Sequence, residues 1–340
     1  MNSQFLPNRL KLYNRGSMLK LILQRFLALI PLLLTVALGS FLLVRIAPGD
    51  FLTEMSLNPQ VSAETLRYLR EQYALDQPWY LQFSKWLMGI MSGDFGPSFS
   101  CNCAASDLIY QRLANTVWLA TAGLTLTLLV ALPMGLLAAK HRNGALDRFF
   151  AFLSALSLSS PSFLLALLAV VLAARSGWFP IGGVHSLDYA RLSAAGKLTD
   201  FLHHLILPAS VLALRQFPGF FRQLRASLIE TLSQDYILTA RAKGLTENTI
   251  LMKHAFRNAL NPLISMLGNS LGSLLSGAFI VEAIMSWPGL GSLTVSSLLS
   301  RDLFVLVACL IFAALLLALG NLLADLLLAL ADPRIRSSRS

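Results

Sequence analysis

Phe26-Leu27-Ala28-Leu29-Ile30-Pro31-Leu32-Leu33-Leu34-Thr35-Val36-Ala37-Leu38-Gly39-Ser40-Phe41-Leu42-Leu43-Val44 contains no ionisable side chain and is bracketed by Arg25 and Arg45. A helix rises about 1.5 Å per residue, so this run is long enough to cross a hydrocarbon layer of about 30 Å. The same signal recurs at residues 116–139, 149–174, 205–221, 262–285 and 304–330, the fourth of these interrupted by Arg215 and Pro218. The expected fold class is therefore an all-α membrane protein of about six transmembrane helices, with both termini on one side.

Composition agrees. The 340 residues are 55% hydrophobic and 13% charged, with a mean hydropathy of +0.63, where a soluble domain carries about 25% charged residues. A net charge of +10 raises the question of nucleic acid, but the cations lie between the apolar runs. With a cytoplasmic N-terminus, the inside segments hold 17 of the 27 Lys and Arg and the outside segments nine. That asymmetry places both termini in the cytoplasm and makes lipid, not nucleic acid, the partner of the charge. The expected organisation is a cytoplasmic segment 1–25, a first transmembrane helix 26–44, an external segment 45–115, a core 116–330 of five transmembrane helices and a cytoplasmic tail 331–340. The first run is longer than a signal-peptide core, and no small-x-small cleavage site follows it, so it is expected to remain as an anchor.

Several positions carry local expectations. Residues 62–73 read as a helix, and Gly93-Asp94 and Gly96-Pro97 as turns. Ser159-Ser160-Pro161-Ser162 predicts a kink, with serine hydroxyls covering the carbonyls that proline leaves free. Gly268, Gly272 and Ser276 recur every four residues and predict close helix packing. Three cysteines make no disulfide framework. Cys101 and Cys103, one residue apart, are read as two ordinary thiols because so short a bridge is strained, and Cys309 as a packing residue. Arg215, Glu282 and Asp325 are ionisable groups in or at the ends of spans and so are functional candidates. Glu282 and Asp325, at opposite ends of their helices, are expected to be paired structurally, since isolated carboxylates make no proton path. His203-His204 has no metal-spaced partner, and no catalytic, cofactor or metal site is expected in this chain.

The stretch Asp235-Tyr236-Ile237-Leu238-Thr239-Ala240-Arg241-Ala242-Lys243-Gly244-Leu245 leads into Lys253-His254-Ala255-Phe256-Arg257-Asn258-Ala259 and Asn261-Pro262. It predicts a helix, a glycine able to take φ > 0, and a second helix from Thr246. On the cytoplasmic side such an element suits a groove in another protein or, read alone, an anionic lipid surface. Trp287-Pro288-Gly289-Leu290-Gly291 predicts a tight external turn, with the tryptophan at an interface.

These residues resemble the permeases of ATP-binding-cassette importers, and in particular the first permease subunit of the peptide and nickel subgroup. The string from Thr239 to Leu245 is similar to that subgroup's coupling loop, here 228–261. The general importer motif's acidic-Ala-Ala opening is absent, and His254-Ala255-Phe256-Arg257 stands in place of its Ile-x-Leu-Pro, as in the subgroup. The resemblance extends along the chain. It takes in Arg25, Pro31, Pro48-Gly49-Asp50, Leu75-Asp76-Gln77-Pro78, Gly93 to Phe99, Ile206-Leu207-Pro208, Glu282, the Trp287 turn, Arg301-Asp302, Asn321, Asp325 and Asp332-Pro333-Arg334-Ile335-Arg336. Residues 1–17 precede Met18, where such permeases commonly begin.

The resemblance implies a type I importer permease fold and a heterodimeric pore made with a second, homologous permease. It also implies two cytoplasmic ATPase subunits and an external solute-binding protein. ATP and Mg would sit on the ATPases; this chain has no Gly-x-x-x-x-Gly-Lys-Ser/Thr phosphate loop. Thr239, Ala240, Arg241, Ala242, Lys243, Gly244, Leu245, His254, Arg257 and Asn258 would form the ATPase contact, with small residues at Ala240 and Ala242 permitting close approach. Trp287, Pro288, Gly289 and Gly291 would shape an external gate. Peptides are the expected cargo, with nickel or a metal chelate as the alternative. An ion-driven secondary transporter, which would favour inverted repeats, and a membrane-embedded enzyme, which needs paired catalytic groups, are the more distant readings.

Overall fold

The computed structural model describes residues 15–46, 62–72, 77–98, 100–101 and 103–331. The motif positions Pro48-Gly49-Asp50, Leu75-Asp76, Phe99 and Asp332 to Arg336 lie outside them. Among the described residues the α-helices of eight residues or more are α1 (Arg15–Ile46), α2 (Ala63–Gln72), α3 (Trp79–Met91), α4 (Ala105–Lys140), α5 (Ala145–Ser159), α6 (Ser162–Ser176), α7 (Ala194–Leu232), α8 (Asp235–Ala242), α9 (Phe256–Ile284), α10 (Leu290–Leu299) and α11 (Leu303–Ala331). By length and apolarity, Ala105–Lys140 and Leu303–Leu323 qualify as membrane-crossing helices among these residues, and α5 with α6 qualifies as a pair.

The third apolar run is broken rather than merely kinked: α5 and α6 meet at 101°. Pro161 has no N–H to continue the helix, and it forces Ser160 into extended backbone (φ −89°, ψ 120°). Ser159 and Ser160 donate their hydroxyls to the Ala155 and Leu156 carbonyls, both at 2.9 Å, which covers the acceptors left at the helix end.

The fourth run is the opposite case, because Arg215 and Pro218 do not interrupt it. α7 continues through both for 39 residues, about 58 Å at the helical rise, and so extends well beyond a hydrocarbon layer. Pro218 cannot donate to the Leu214 carbonyl four residues back; the Ser157 hydroxyl of α5 donates to it instead.

α4 and α7 run side by side in the same direction and form the most extensive helix contact. Gly123, Thr127, Ala131 and Gly135 of α4 are all buried, four residues apart, giving a stripe of small residues that admits the neighbouring helix. A methyl added at Gly123 would stand 3.0 Å from Leu212 Cβ, and one at Gly135 2.9 Å from Leu224 Cδ2. The stripe expected at Gly268, Gly272 and Ser276 falls on side chains outside the described ones. Two buried clusters fill the space around α4 and α7, one on Leu119, Leu212, Leu274, Val281 and Trp287, the other on Phe217, Phe220, Phe221, Leu224 and Leu263.

The segment expected to be external is fastened to the start of α11. Strands β1 (Pro97–Ser98) and β2 (Cys103–Ala104) pair antiparallel, entered through Gly93 and Gly96 at φ 82° and 89°. Buried Asp302 accepts hydrogen bonds from Ser98 Oγ at 2.6 Å, Ser100 Oγ at 3.0 Å and Ser100 N at 3.2 Å. The reading of Cys101 and Cys103 as separate thiols is corrected here, since they form a disulfide. The hairpin reversal brings their Cα atoms to 5.4 Å, inside the range of about 4.4–6.8 Å that a bridge requires. Cys309 is a buried free thiol, packed with Ile109, Leu290, Leu293 and Val305.

Candidate functional site

Two turns carry the functional expectations, and the one after α8 is built mostly from local bonds. α8 ends in a Schellman arrangement: Gly244 N donates to Arg241 O at 2.9 Å and Leu245 N to Ala240 O at 3.3 Å. Gly244 sits at φ +76°, and a methyl there would meet no atom within 4 Å, so glycine is needed for its backbone rather than for space. Thr246 then caps the next helical turn, Glu247–Thr249, its Oγ1 accepting from Thr249 N at 3.4 Å. A π-helical stretch, Ile250–Ala255, runs on into α9.

Side chains close this element on one face and leave the other open. Ile237, Ala240 and Ile250 are buried together. The expectation that Ala240 offers close approach to a partner is therefore corrected: it packs inward, and Ala242 is the exposed small residue. Arg241 grips Glu247 across the turn at 2.7 and 3.1 Å. That hydrogen bond raises the arginine's pKa and lowers the glutamate's. Asn258 Nδ2 donates to Tyr236 OH at 2.9 Å, and Lys140 Nζ at the end of α4 donates to Asn248 Oδ1 at 2.9 Å. His254 is half-buried, while Thr239, Lys243, Arg257 and Asn258 are exposed. Between these polar groups Leu238 (56% exposed), Met252 (53%) and Leu245 (39%) also face outward. An exposed apolar strip studded with cations offers binding area.

The second turn joins α9 to α10 and is closed on every side. Glu282 is fully buried; its carboxylate accepts from Thr116 Oγ1 at 2.8 Å, Gly291 N at 2.6 Å and Ser292 N at 3.2 Å. Thr116 Oγ1 in turn accepts from Leu290 N at 2.7 Å. One glutamate and one threonine thus satisfy the first free amides of α10, at the end where the helix dipole favours negative charge. The two glycines give clearance: a side chain at Gly289 would collide with the Glu282 carboxylate, and a Cβ at Gly291 would stand 2.5 Å from Phe279 Cα. Trp287 is corrected from an interface to the interior. It is fully buried, and its Nε1 donates to Asn115 O at 3.1 Å, while Asn115 Nδ2 donates to Pro288 O at 2.8 Å.

Of the three ionisable candidates, Glu282 is thus paired within the chain, and the Asp325 side chain lies outside the described ones. Arg215 is exposed on α7. The structure adds a pair that the sequence reading passed over: Asp147 at the start of α5 accepts from Arg225 Nε at 2.5 Å and Nη2 at 2.7 Å, and from Asn143 N at 2.9 Å. The Arg225 hydrogen bonds hold the Asp147 carboxyl below its usual range. Both residues lie in basic segments 78 positions apart, and no periodicity links them. Among the described residues no group of three or more His, Cys, Asp or Glu is placed to hold a metal ion.

Comparison with known proteins shows the family. Residues 18–128 match the N-terminal part of a binding-protein-dependent transport system membrane component. The chain is 41% identical to the oligopeptide transport system permease protein AppB of Bacillus subtilis, over 92% of this chain and 98% of that one. It is 40% identical to a putative peptide transport system permease of Brucella abortus, over 94% and 99%. It is 35% identical to the glutathione transport system permease GsiC of Salmonella paratyphi A, over 94% and 99%. Residues 131–337, which hold the Gly244 turn, the Glu282 turn and α11, match a transport permease rather than an enzyme, and the chain belongs to the binding-protein-dependent transport system inner membrane component family.

Proposed function

We propose that this chain is one of two pore-forming subunits of an ATP-binding-cassette importer that brings peptides across the cytoplasmic membrane. The observation that carries the proposal is the turn at residues 235–258, whose fold is complete on one face and whose other face is an unpartnered apolar and basic strip. That strip is the contact for an ATPase subunit, and Gly244 holds its shape. ATP and Mg bind on the two ATPases, a binding protein delivers peptide outside, and a second homologous permease completes the pore. The distribution of Lys and Arg supports six spans with both termini in the cytoplasm, and the Glu282 turn then lies at the external mouth as a gate. ATP binding and hydrolysis bias the pore between inward-open and outward-open states through contacts that differ in each. Peptide is favoured over nickel or a metal chelate because the relatives named above are peptide, oligopeptide and glutathione permeases.

Uptake of a labelled peptide by membrane vesicles holding the complete complex and its binding protein tests this. Uptake should require ATP and this subunit, and should survive a protonophore. Uptake abolished by the protonophore with ATP present would establish an ion-driven transporter instead.

A further inference from the structure

Arg215 sits at the middle of the membrane layer, a depth fixed by its neighbours whichever way the chain is oriented. Ala213 O is 3.4 Å from Thr127 Oγ1, near the centre of the apolar run 116–139. Gln216 Nε2 donates to Ser270 O at 3.1 Å, well inside the run 262–285. Around it Val211, Leu212, Ala213 and Phe217 turn into the core, whereas the Arg215 side chain points away from it and makes no hydrogen bond or ion pair among the described residues.

A guanidinium at that depth does not face hydrocarbon; it faces water or an anion. The rest of its face agrees. Residues 215, 219, 222, 226 and 230 share one side of α7 and are Arg, Gly, Arg, Ala and Glu, with Arg222 exposed as well. The surface of α6 is of the other kind, exposing Leu164, Leu167, Leu168, Val171 and Leu172 as a lipid-facing helix does. The cytoplasmic half of α7 is therefore a path-facing surface, and α6 is a lipid-facing one.

We infer that Arg215 lines the translocation path and favours passage of cargo bearing acidic groups, pairing its planar fork of donors with a carboxylate as the peptide crosses the mid-plane. It is a specificity-determining residue, and the inference rests on the peptide-importer reading above.

The test uses the complete complex in membrane vesicles with two labelled tripeptides, Ala-Glu-Ala and Ala-Gln-Ala, and reads the ratio of their uptake rates. The same binding protein serves every variant, so its own preference cancels. Arg215→Gln should lower the acidic-to-neutral ratio about tenfold, the scale of a charge-assisted hydrogen bond, and Arg215→Glu should lower it further. Should Arg215→Gln not assemble, Arg215→Lys carries the test: it keeps the charge, loses the fork, and should lower the ratio about twofold or more. A ratio unchanged in the variants that assemble, whatever their absolute rate, would overturn the inference and leave Arg215 pairing with a fixed carboxylate of another subunit. A parent complex that imports neither tripeptide would instead sink the peptide-importer reading.

Discussion

The turn after α8 and the turn after α9 are both reversals between helices marked by glycine, and they are made in opposite ways. At the α9 turn, glycine is required because another part of the chain fills the space, with Glu282 against Gly289 and Phe279 against Gly291. At the α8 turn it is required because the backbone enters the left-handed region, while the space beside Gly244 is open. The α9 turn finds its partners 166 to 174 residues away, in Asn115 and Thr116, and belongs to the core. The α8 turn is held mostly by bonds within residues 235–258, with Lys140 reaching it from α4, and its apolar and basic strip is exposed. The buried glycine turn therefore reports on the fold, and on our proposal the exposed one reports on a partner.

This contrast predicts a large stability effect at the α9 turn. Glu282→Ala leaves the Thr116 hydroxyl and the Gly291 and Ser292 amides without their acceptor, each buried unmade bond costing about 1–3 kcal/mol. Gly289→Ala forces a methyl into the carboxylate, an overpacking cost of about 1–3 kcal/mol. Both variants should lower the thermal midpoint of the purified complex by many degrees or fail to accumulate in the membrane. Glu282→Gln, which keeps an acceptor oxygen, should be milder than Glu282→Ala. Parental stability in Glu282→Ala would erase the distinction between the two turns.

A smaller, pH-dependent effect is expected where α5 meets α7. Asp147 is held below its usual pKa by Arg225 in the folded chain, so its contribution is fully present above the ordinary carboxylate value of about 3.9. It is lost as pH falls through the depressed folded value. Thermal midpoints of the parent should therefore fall on acidification below about pH 4 more steeply than those of Asp147→Asn. Identical acid limbs would show that the pair contributes nothing to folding.

The apolar runs made the helices legible, because hydrocarbon thickness sets their length and charge is expensive inside them. Continuity was less legible. Proline at 161 and proline at 218 look alike in sequence, yet one breaks a helix by 101° and the other is absorbed. At Pro218 the freed Leu214 carbonyl is covered by Ser157, on another helix, and nothing in the local sequence marks that donor. The Trp287 motif read correctly as a turn, but its tryptophan looked interfacial because nothing local marks Asn115 as the indole's acceptor. The packing stripe at Gly123, Thr127, Ala131 and Gly135 has a four-residue spacing as readable as that of Gly268, Gly272 and Ser276. Cys101 and Cys103 were judged by spacing alone, and the hairpin that joins them depends on Asp302, some 200 residues on. At the turn after α8 the sequence located the reversal and its glycine, but the inward face of Ala240 needed the fold.

Gly244→Val is the direct test of the central claim that this turn exists for an ATPase subunit. A β-branched residue resists φ +76°, at a local cost of about 1–2 kcal/mol, and it displaces no core side chain. The variant should therefore insert and melt close to the parent, the smallest stability effect of the series. Purified complexes carrying it should either lose the ATPase subunits or hydrolyse ATP without importing peptide. A Gly244→Val complex that holds its ATPases and imports at the parental rate would contradict the account and leave the exposed strip as a lipid-facing connector.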